Sequence, residues 1–205
     1  MGLAEVQQLL ARLYTDGELR ERFFVDPLKV GRDLGLTAEE ARHMARLPSS
    51  QLNMFADSLL NKRLLGVGKL LPLIRRVLSD RFTTHFRRFA ATRDYDGHTQ
   101  YLGDALEFAR YLEEHLREER VGSGWILDLL RFERARLKAS DPSRRWVARY
   151  FRHDISRLVR SVARKEKTPI VARRSTVAVW WRPVRRGTVR YAVFAAPSIF
   201  KKGQS

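Results

Sequence analysis

Residues 175–195 read STVAVWWRPVRRGTVRYAVFA, and this stretch predicts the fold class. Two runs rich in β-branched and aromatic residues, 175–182 and 188–195, lie on either side of the segment from Pro183 to Gly187. Such runs favour strands, and a short segment with Pro and Gly between them is typical of a hairpin loop. The stretch therefore predicts a β-hairpin.

The residues before the hairpin predict one more strand and one more helix. Residues 145–153, RWVARYFRH, are rich in β-forming residues. Asp154 suits the N-cap of an amphipathic helix from Ile155 to about Lys165. Together with the hairpin these elements predict a small α+β module, in which the helix and the hairpin could form a winged helix.

Residues 1–141 show helical spacing of apolar residues almost throughout. Asp16, Asp26 and Thr37 are predicted N-caps, and Thr37 with Glu40 forms a capping box. Further helices are expected over 51–65, from Pro72 through Phe89, from Tyr101 through Leu116 and over 125–139, with Gly66 and Gly68 loosening the chain before Pro72. The predicted fold class is α+β, with a helical domain over 1–141 and a basic α+β domain over 142–205.

The positive charge is concentrated in the predicted second domain. Residues 142–205 contain 17 Lys and Arg residues and two acidic residues, and so carry +15 of the net +17 of the chain. A field of this strength attracts anionic partners, such as nucleic acid, an acidic peptide, an acidic protein face or an anionic membrane.

Several functional classes find no support in the sequence. The chain has no cysteine, which excludes disulfides and thiol nucleophiles and fits the cytoplasm that we expect. No apolar run approaches the length of a membrane span. The five histidines lack metal-site spacing, and no catalytic motif occurs. We therefore expect a protein that is not an enzyme and has no metal or cofactor. Glu133, within an apolar stretch, suits either a catalytic carboxylate or, as is commoner, a buried ion pair with a nearby arginine.

The candidate site is the basic hairpin with its flanks. Arginine suits bidentate pairing with carboxylates or phosphates, and interleaved aromatic side chains can stack on bases. One of the neighbours Trp180 and Trp181 is expected to face inward, because successive strand residues point to opposite faces. The predicted peptide- or anion-binding residues are Arg173, Arg174, Trp180, Arg182, Arg185, Arg186 and Arg190.

Five stretches carry a resemblance to a known group of proteins. They are the pattern LxRLYTDxxLRxRFFxDPxxVxxxLGLTxEE over 10–40, FADSLLNKRLxxVxKLLPL over 55–73, ILDLLRFERARLKA over 126–139, YFRHDISRLV over 150–159 and TVAVWWRPVRRGTVRYAVF over 176–194. The chain resembles partner proteins of multinuclear non-haem iron enzymes that oxidise ribosomally made peptides. Members of that group have also been described as DNA-binding proteins.

The resemblance implies an accessory subunit that has no metal of its own. Such a subunit would dock on an iron-dependent oxidase through its helical part and present an acidic precursor peptide by its leader segment. Addition of the peptide as an extra strand beside a small sheet is a physically natural mode of binding. The alternative is a nucleic-acid-binding protein that uses the basic module.

The alternative makes a quantitative prediction about salt. If the basic module binds DNA or RNA, the logarithm of the affinity should fall linearly with the logarithm of the salt concentration, with a slope of roughly −0.9 for each phosphate neutralised. A fluorescence-anisotropy titration over a range of salt concentrations measures this slope. No binding even at low salt would contradict the alternative.

Overall fold

The computed structural model describes residues 3–92, 101–119, 124–166, 171–184 and 187–196. In these residues the chain forms ten α-helices and three β-strands, so the predicted α+β class is confirmed. The helices are α1 Leu3–Thr15, α2 Gly17–Val25, α3 Pro27–Asp33, α4 Ala38–Met44, α5 Ser49–Leu70, α6 Pro72–Leu78, α7 Asp80–Ala91, α8 Tyr101–Glu118, α9 Trp125–Ser140 and α10 Ile155–Ala163. The strands are β1 Trp146–Phe151, β2 Thr176–Trp181 and β3 Arg190–Ala195. No helix in the described residues combines the length and the apolar character needed to cross a membrane.

The chain divides into two compact units. The first unit comprises residues 1–66 and 84–100, and the second comprises residues 67–83 and 101–205. This division does not coincide with the predicted boundary at residue 141. Helix α9 packs on α8, which precedes this boundary in the chain, and also on β1 and α10, which follow it.

The first unit follows its local sequence signals closely. The carboxylates of Asp16 and Asp26 accept hydrogen bonds from the backbone N–H groups at the starts of α2 and α3, and Thr37 forms the predicted capping box with Glu40. The capped helices pack around a core formed by Leu9, Leu13, Leu19, Phe23, Val30, Leu36, Met44 and Leu52.

The predicted break at Gly66 and Gly68 is wrong, because α5 continues through both glycines to Leu70. A Cβ atom on Gly68 would lie 2.7 Å from Nη1 of Arg75, so the missing side chain leaves room for this arginine. A glycine inside a helix costs only about 1 kcal/mol relative to alanine, which packing can outweigh. The helix ends before Pro72, where the proline ring disfavours helical backbone in the preceding residue.

A second correction concerns the helix predicted from Pro72 through Phe89. The structure divides it into α6 and α7 at Ser79, which has a φ of 48°. A positive φ is uncommon for serine, and no Gly or Pro marks the site in the sequence. Helical periodicity therefore gave no sign of the break.

The sheet of the second unit is antiparallel, with β2 between β1 and β3. The three strands and helix α10 lie where the sequence predicted them. One face of the sheet, here called the inner face, packs through Phe151, Ala178 and Trp180 against α9 and α10. The opposite face is called the outer face. The core on the inner face also contains Leu129, Phe132, Ala135, Ala139, Ile155, Leu158 and Val162.

A buried carboxylate on α9 holds the start of α6. Glu133 accepts hydrogen bonds from the backbone N–H groups of Leu73 and Ile74, each at 2.9 Å. The first N–H groups of a helix have no partner within the helix, and they carry partial positive charge. The charges of Arg136 and Arg76 act on Glu133 and lower its pKa, but within the described residues no arginine forms an ion pair with it, so the predicted ion pair is wrong.

Burial raises the pKa of Glu133 to about 7, although its two backbone hydrogen bonds act in the opposite direction. The folded protein therefore binds this proton more tightly than the unfolded chain does. Stability contributed by this group is present below the ordinary pKa of 4.5 and is lost as the pH rises towards about 7.

We predict that Glu133→Gln removes this part of the pH dependence of the free energy of unfolding. Urea unfolding at a series of pH values between about 4.5 and about 7 measures it. Glu118→Gln, at an exposed position of α8, serves as the control and should keep the dependence of the parent protein. An unchanged slope in Glu133→Gln would assign the dependence to another group.

Candidate anion-binding surface

The two adjacent tryptophans of β2 point in opposite directions, as predicted. Trp180 is only 2% exposed and packs on Phe132, with ring centroids 5.3 Å apart, whereas Trp181 is exposed. Trp180 is therefore a core residue and has no surface with which to contact a peptide or an anion. Its assignment to the binding site is not compatible with its burial, because β2 turns this side chain to the inner face.

Arg182 is used inside the second unit. Its Nη1 donates to the carbonyl oxygen of Gly187 at 2.6 Å, and its Nη2 donates to the carbonyl oxygens of Ala139 and Ser140 at 3.2 Å. The last carbonyl groups of a helix lack partners within the helix and carry partial negative charge. Arg182 thus caps the end of α9 and ties it to the segment between β2 and β3.

The remaining predicted arginines do not form one cluster. Arg173 and Arg174 lie before β2, while Arg190 begins β3 and pairs with Trp181 at the far end of β2. At about 3.3 Å per strand residue, these two groups are separated by roughly 20 Å. All three side chains are exposed. Arg185 and Arg186 lie outside the described residues.

Two further arginines cap helix ends in the second unit. Nη1 of Arg76 donates to the carbonyl oxygen of Val162 at 2.8 Å, at the end of α10. Nη2 of Arg136 donates to the carbonyl oxygen of Leu70 at 2.7 Å, at the end of α5. Arg76 and Arg136 thus stabilise helix ends and are unavailable to a ligand.

A buried glutamate binds three more arginines. Glu113 on α8 accepts hydrogen bonds from Arg117 at 2.6 Å, Arg131 at 2.8 Å and Arg134 at 3.0 Å. Burial alone would raise the pKa of Glu113, but the neighbouring guanidinium groups, Arg131 foremost, lower it overall. This network joins α8 to α9.

Asp128 and His153 form a buried pair that resembles part of a catalytic site. Oδ2 of Asp128 accepts from Nδ1 of His153 at 2.8 Å, and it also accepts from the backbone N–H groups of Arg152 at 2.8 Å and His153 at 3.2 Å. These bonds fasten the turn between β1 and α10 to α9. Within the described residues no group of three His, Asp or Glu side chains is placed to hold a metal ion.

A further group of cations lies beside β1. We call Lys138, Arg144, Arg145 and Arg149 the β1 basic cluster. Burial lowers the pKa of Lys138, and the charges of Arg134, Arg144 and Arg149 lower it further. Burial is the larger cause, and the three arginine contributions show that positive charge surrounds this lysine.

Few acidic groups balance this cluster. In the described part of the chain Lys138, Arg145 and Arg149 form no ion pair, and Arg144 meets Asp141 at 3.7 Å on the exposed surface. Exposed pairs of this kind contribute little, so they neutralise the cluster only weakly. Glu113, the buried acid whose charge acts on Lys138, is already bound by three arginines.

The outer face of the sheet is exposed and apolar. Trp146 pairs with Trp181 across β1 and β2, and their side chains are 70% and 36% exposed. Tyr150 and Phe194 are exposed on the same face, on either side of Val177. Exposed apolar patches of this kind mark sites of interaction.

A comparison with protein families finds a match within the helical part of the chain. Residues 47–114 match the family described as SCO6045-like, C-terminal domain, which is a family of uncharacterised proteins. The matched segment covers about a third of the chain and ends within α8, before the sheet and the β1 basic cluster. No curated protein matches the chain.

Sequence analysis missed the β1 basic cluster, although a signal was present. Residues 145–153 were predicted as a strand, and a period of two places Arg145 and Arg149 on one face of it. Lys138 could not have been added from sequence, because its place beside β1 depends on how α9 packs on the sheet.

The contacts of Arg182 predict a structural role for this side chain. Arg182→Ala should lower the free energy of unfolding by about 1.5–3 kcal/mol, since it removes charged hydrogen bonds to three carbonyl groups. Arg190→Ala, at an exposed position of the same hairpin, should change it by less than about 0.5 kcal/mol. Urea unfolding of both variants measures the difference, and equal stabilities would contradict this role.

Proposed function

We propose that the chain is a non-catalytic accessory subunit that docks on an iron-dependent peptide-modifying oxidase and presents its acidic precursor peptide. In this proposal the second unit binds the leader segment of the peptide beside its sheet, and the complex acts in the cytoplasm. The observation that carries the proposal is the β1 basic cluster, which lies along β1, an edge strand of the sheet.

A strand edge favours a peptide over other anions. The edge strand β1 offers backbone N–H and C=O groups at regular spacing, and an extended peptide can form hydrogen bonds with both kinds of group. A phosphate backbone accepts hydrogen bonds but has no N–H groups that could donate to the C=O groups of the strand. The cations beside the strand then favour acidic side chains on the peptide.

Docking on an enzyme would use the first unit. Its helix α5 leaves the apolar side chains of Met54 and Leu65 exposed. This helix lies within the segment that matches a protein family, and it also carries part of the resemblance to iron-oxidase partner proteins. Both features support α5 as the surface for a protein partner.

A second candidate function is the binding of nucleic acid. Helix α10 buries Ile155 and Leu158 and leaves Arg157, Arg160 and Arg164 exposed along its other side. A helix with an exposed arginine row fits the width of the major groove of DNA. This row does not lie on the same element as the β1 basic cluster, so variants can separate the two functions.

The proposal predicts that the purified chain binds a fluorescein-labelled polyglutamate peptide. The double variant Arg145→Ala/Arg149→Ala should weaken this binding about ten-fold, because each cross-strand charge pair contributes up to about 1 kcal/mol. The matched control Arg160→Ala/Arg164→Ala removes the same charge from α10 and should leave binding unchanged. Fluorescence anisotropy at fixed salt measures both.

The same assay with duplex DNA decides between the two functions. If DNA binds and the α10 variant weakens it, while polyglutamate does not bind, the second candidate replaces the first. Co-purification with an iron oxidase encoded beside this gene tests the enzyme partner. If the chain binds neither the enzyme nor an acidic peptide, the first proposal is contradicted.

A further inference from the structure

The backbone of β1 has one side directed away from the sheet. The backbone N–H of Arg182 donates to the carbonyl oxygen of Arg145 at 2.9 Å, which extends the β1 and β2 ladder by one pair. Residues of an antiparallel strand bond alternately to either side. Arg145, Val147 and Arg149 therefore bond to β2, and the N–H and C=O groups of Trp146 and Ala148 point to the open edge.

The side chains of the same residues divide between the two faces. Val147 pairs with Trp180 and Arg149 pairs with Ala178, so both lie on the inner face. The extended ladder places Arg145 on this face too. Trp146 and Ala148 lie on the outer face, and both are exposed.

This alternation defines what an added strand would meet. Its residues opposite Arg145 and Arg149 would face cations, with Lys138 close by on α9. Its residues opposite Trp146 and Ala148 would face the apolar outer face, which continues through Val179 and Trp181. The two cations lie four residues apart, so an added strand needs two acidic residues with the same spacing.

Building on the proposed function, we infer that β1 selects extended peptides with acidic residues at positions 1 and 5 and apolar residues at positions 2 and 4. The pattern reads the same in both chain directions, so it applies to a parallel and to an antiparallel added strand. Arg145 and Arg149 select the acidic positions, and Trp146 with Ala148 selects the apolar positions. The edge of β3, with Arg190 alone on that strand, lacks the paired cations.

Two peptides of identical composition test this selectivity. One has the central sequence Glu-Val-Ala-Val-Glu and the other has Val-Glu-Ala-Glu-Val, each with Gly-Ser flanks and a fluorescein label. The second peptide cannot place carboxylates opposite Arg145 and Arg149 in any register, because its acidic residues are two apart. We expect the first peptide to bind the full-length chain about five-fold more tightly, through two cross-strand charge pairs.

A pair of proline variants tests the edge. Ala148→Pro removes an N–H that points to the open edge of β1 and keeps the ladder with β2, a position where strands tolerate proline. Ala195→Pro is the matched control, because the bond from the N–H of Ala196 to the carbonyl oxygen of Ser175 directs the N–H of Ala195 to the open edge of β3. Ala148→Pro should weaken binding of the first peptide at least five-fold, and Ala195→Pro should not.

A charge exchange keeps the test decisive if a proline variant fails to fold. Arg145→Glu/Arg149→Glu should lose the first peptide and bind Lys-Val-Ala-Val-Lys about five-fold more tightly than Val-Lys-Ala-Lys-Val. Equal binding of the two acidic peptides, or sensitivity to Ala195→Pro alone, would overturn the selectivity and leave binding of acidic peptides intact. If polyglutamate and both acidic peptides fail to bind, the proposed function is overturned as well.

Discussion

The hydrogen bonds from the first turn of α6 to the carboxylate of Glu133 hold the second unit together at its centre. Helix α9 carries this carboxylate on one side and that of Asp128 on another, and both are almost fully buried. Glu133 fastens α6, and Asp128 fastens the turn between β1 and α10. An unpartnered carboxylate at these depths would be strongly destabilising, so the backbone of each neighbouring element must stay in place. The sheet and its basic edge are positioned by this arrangement.

The same electrostatic logic governs the arginines. A helix offers partial positive charge at its start and partial negative charge at its end. In the second unit acidic side chains occupy helix starts, as Glu133 and Asp154 do, and arginines such as Arg76, Arg136 and Arg182 occupy helix ends. A large net charge is therefore a poor measure of ligand-binding capacity. What matters is which cations have no carbonyl or carboxylate beside them. Among the described residues Arg145 and Arg149 of the β1 basic cluster meet this criterion, whereas Arg182 of the hairpin does not.

The first unit could be predicted in detail because its signals are local. An N-cap residue or a capping box acts over three or four residues, and Asp16, Asp26 and Thr37 cap helices where the sequence placed them. The breaks were predicted poorly for the opposite reason. Gly68 stays helical because Arg75 packs against it, and Ser79 takes a positive φ between two helices that have no stop signal. Neither the tolerance of a helical glycine nor a positive φ at a serine follows from intrinsic propensity.

The α+β class, the strands and helices of the basic module, and the opposite directions of Trp180 and Trp181 could be predicted along the chain, because propensity and a period of two are properties of a few neighbouring residues. Which tryptophan is buried, and which arginines are bound to a carbonyl or carboxylate group, depends on how distant segments pack. Burial depends on which face of the sheet α9 covers, and the partner of a guanidinium depends on which helix end lies within its reach. The hairpin arginines looked equivalent along the chain, yet Arg182 caps α9 while Arg190 is exposed. The basic edge of β1 combines both levels: alternation aligned Arg145 with Arg149, and packing of α9 brought Lys138 beside them.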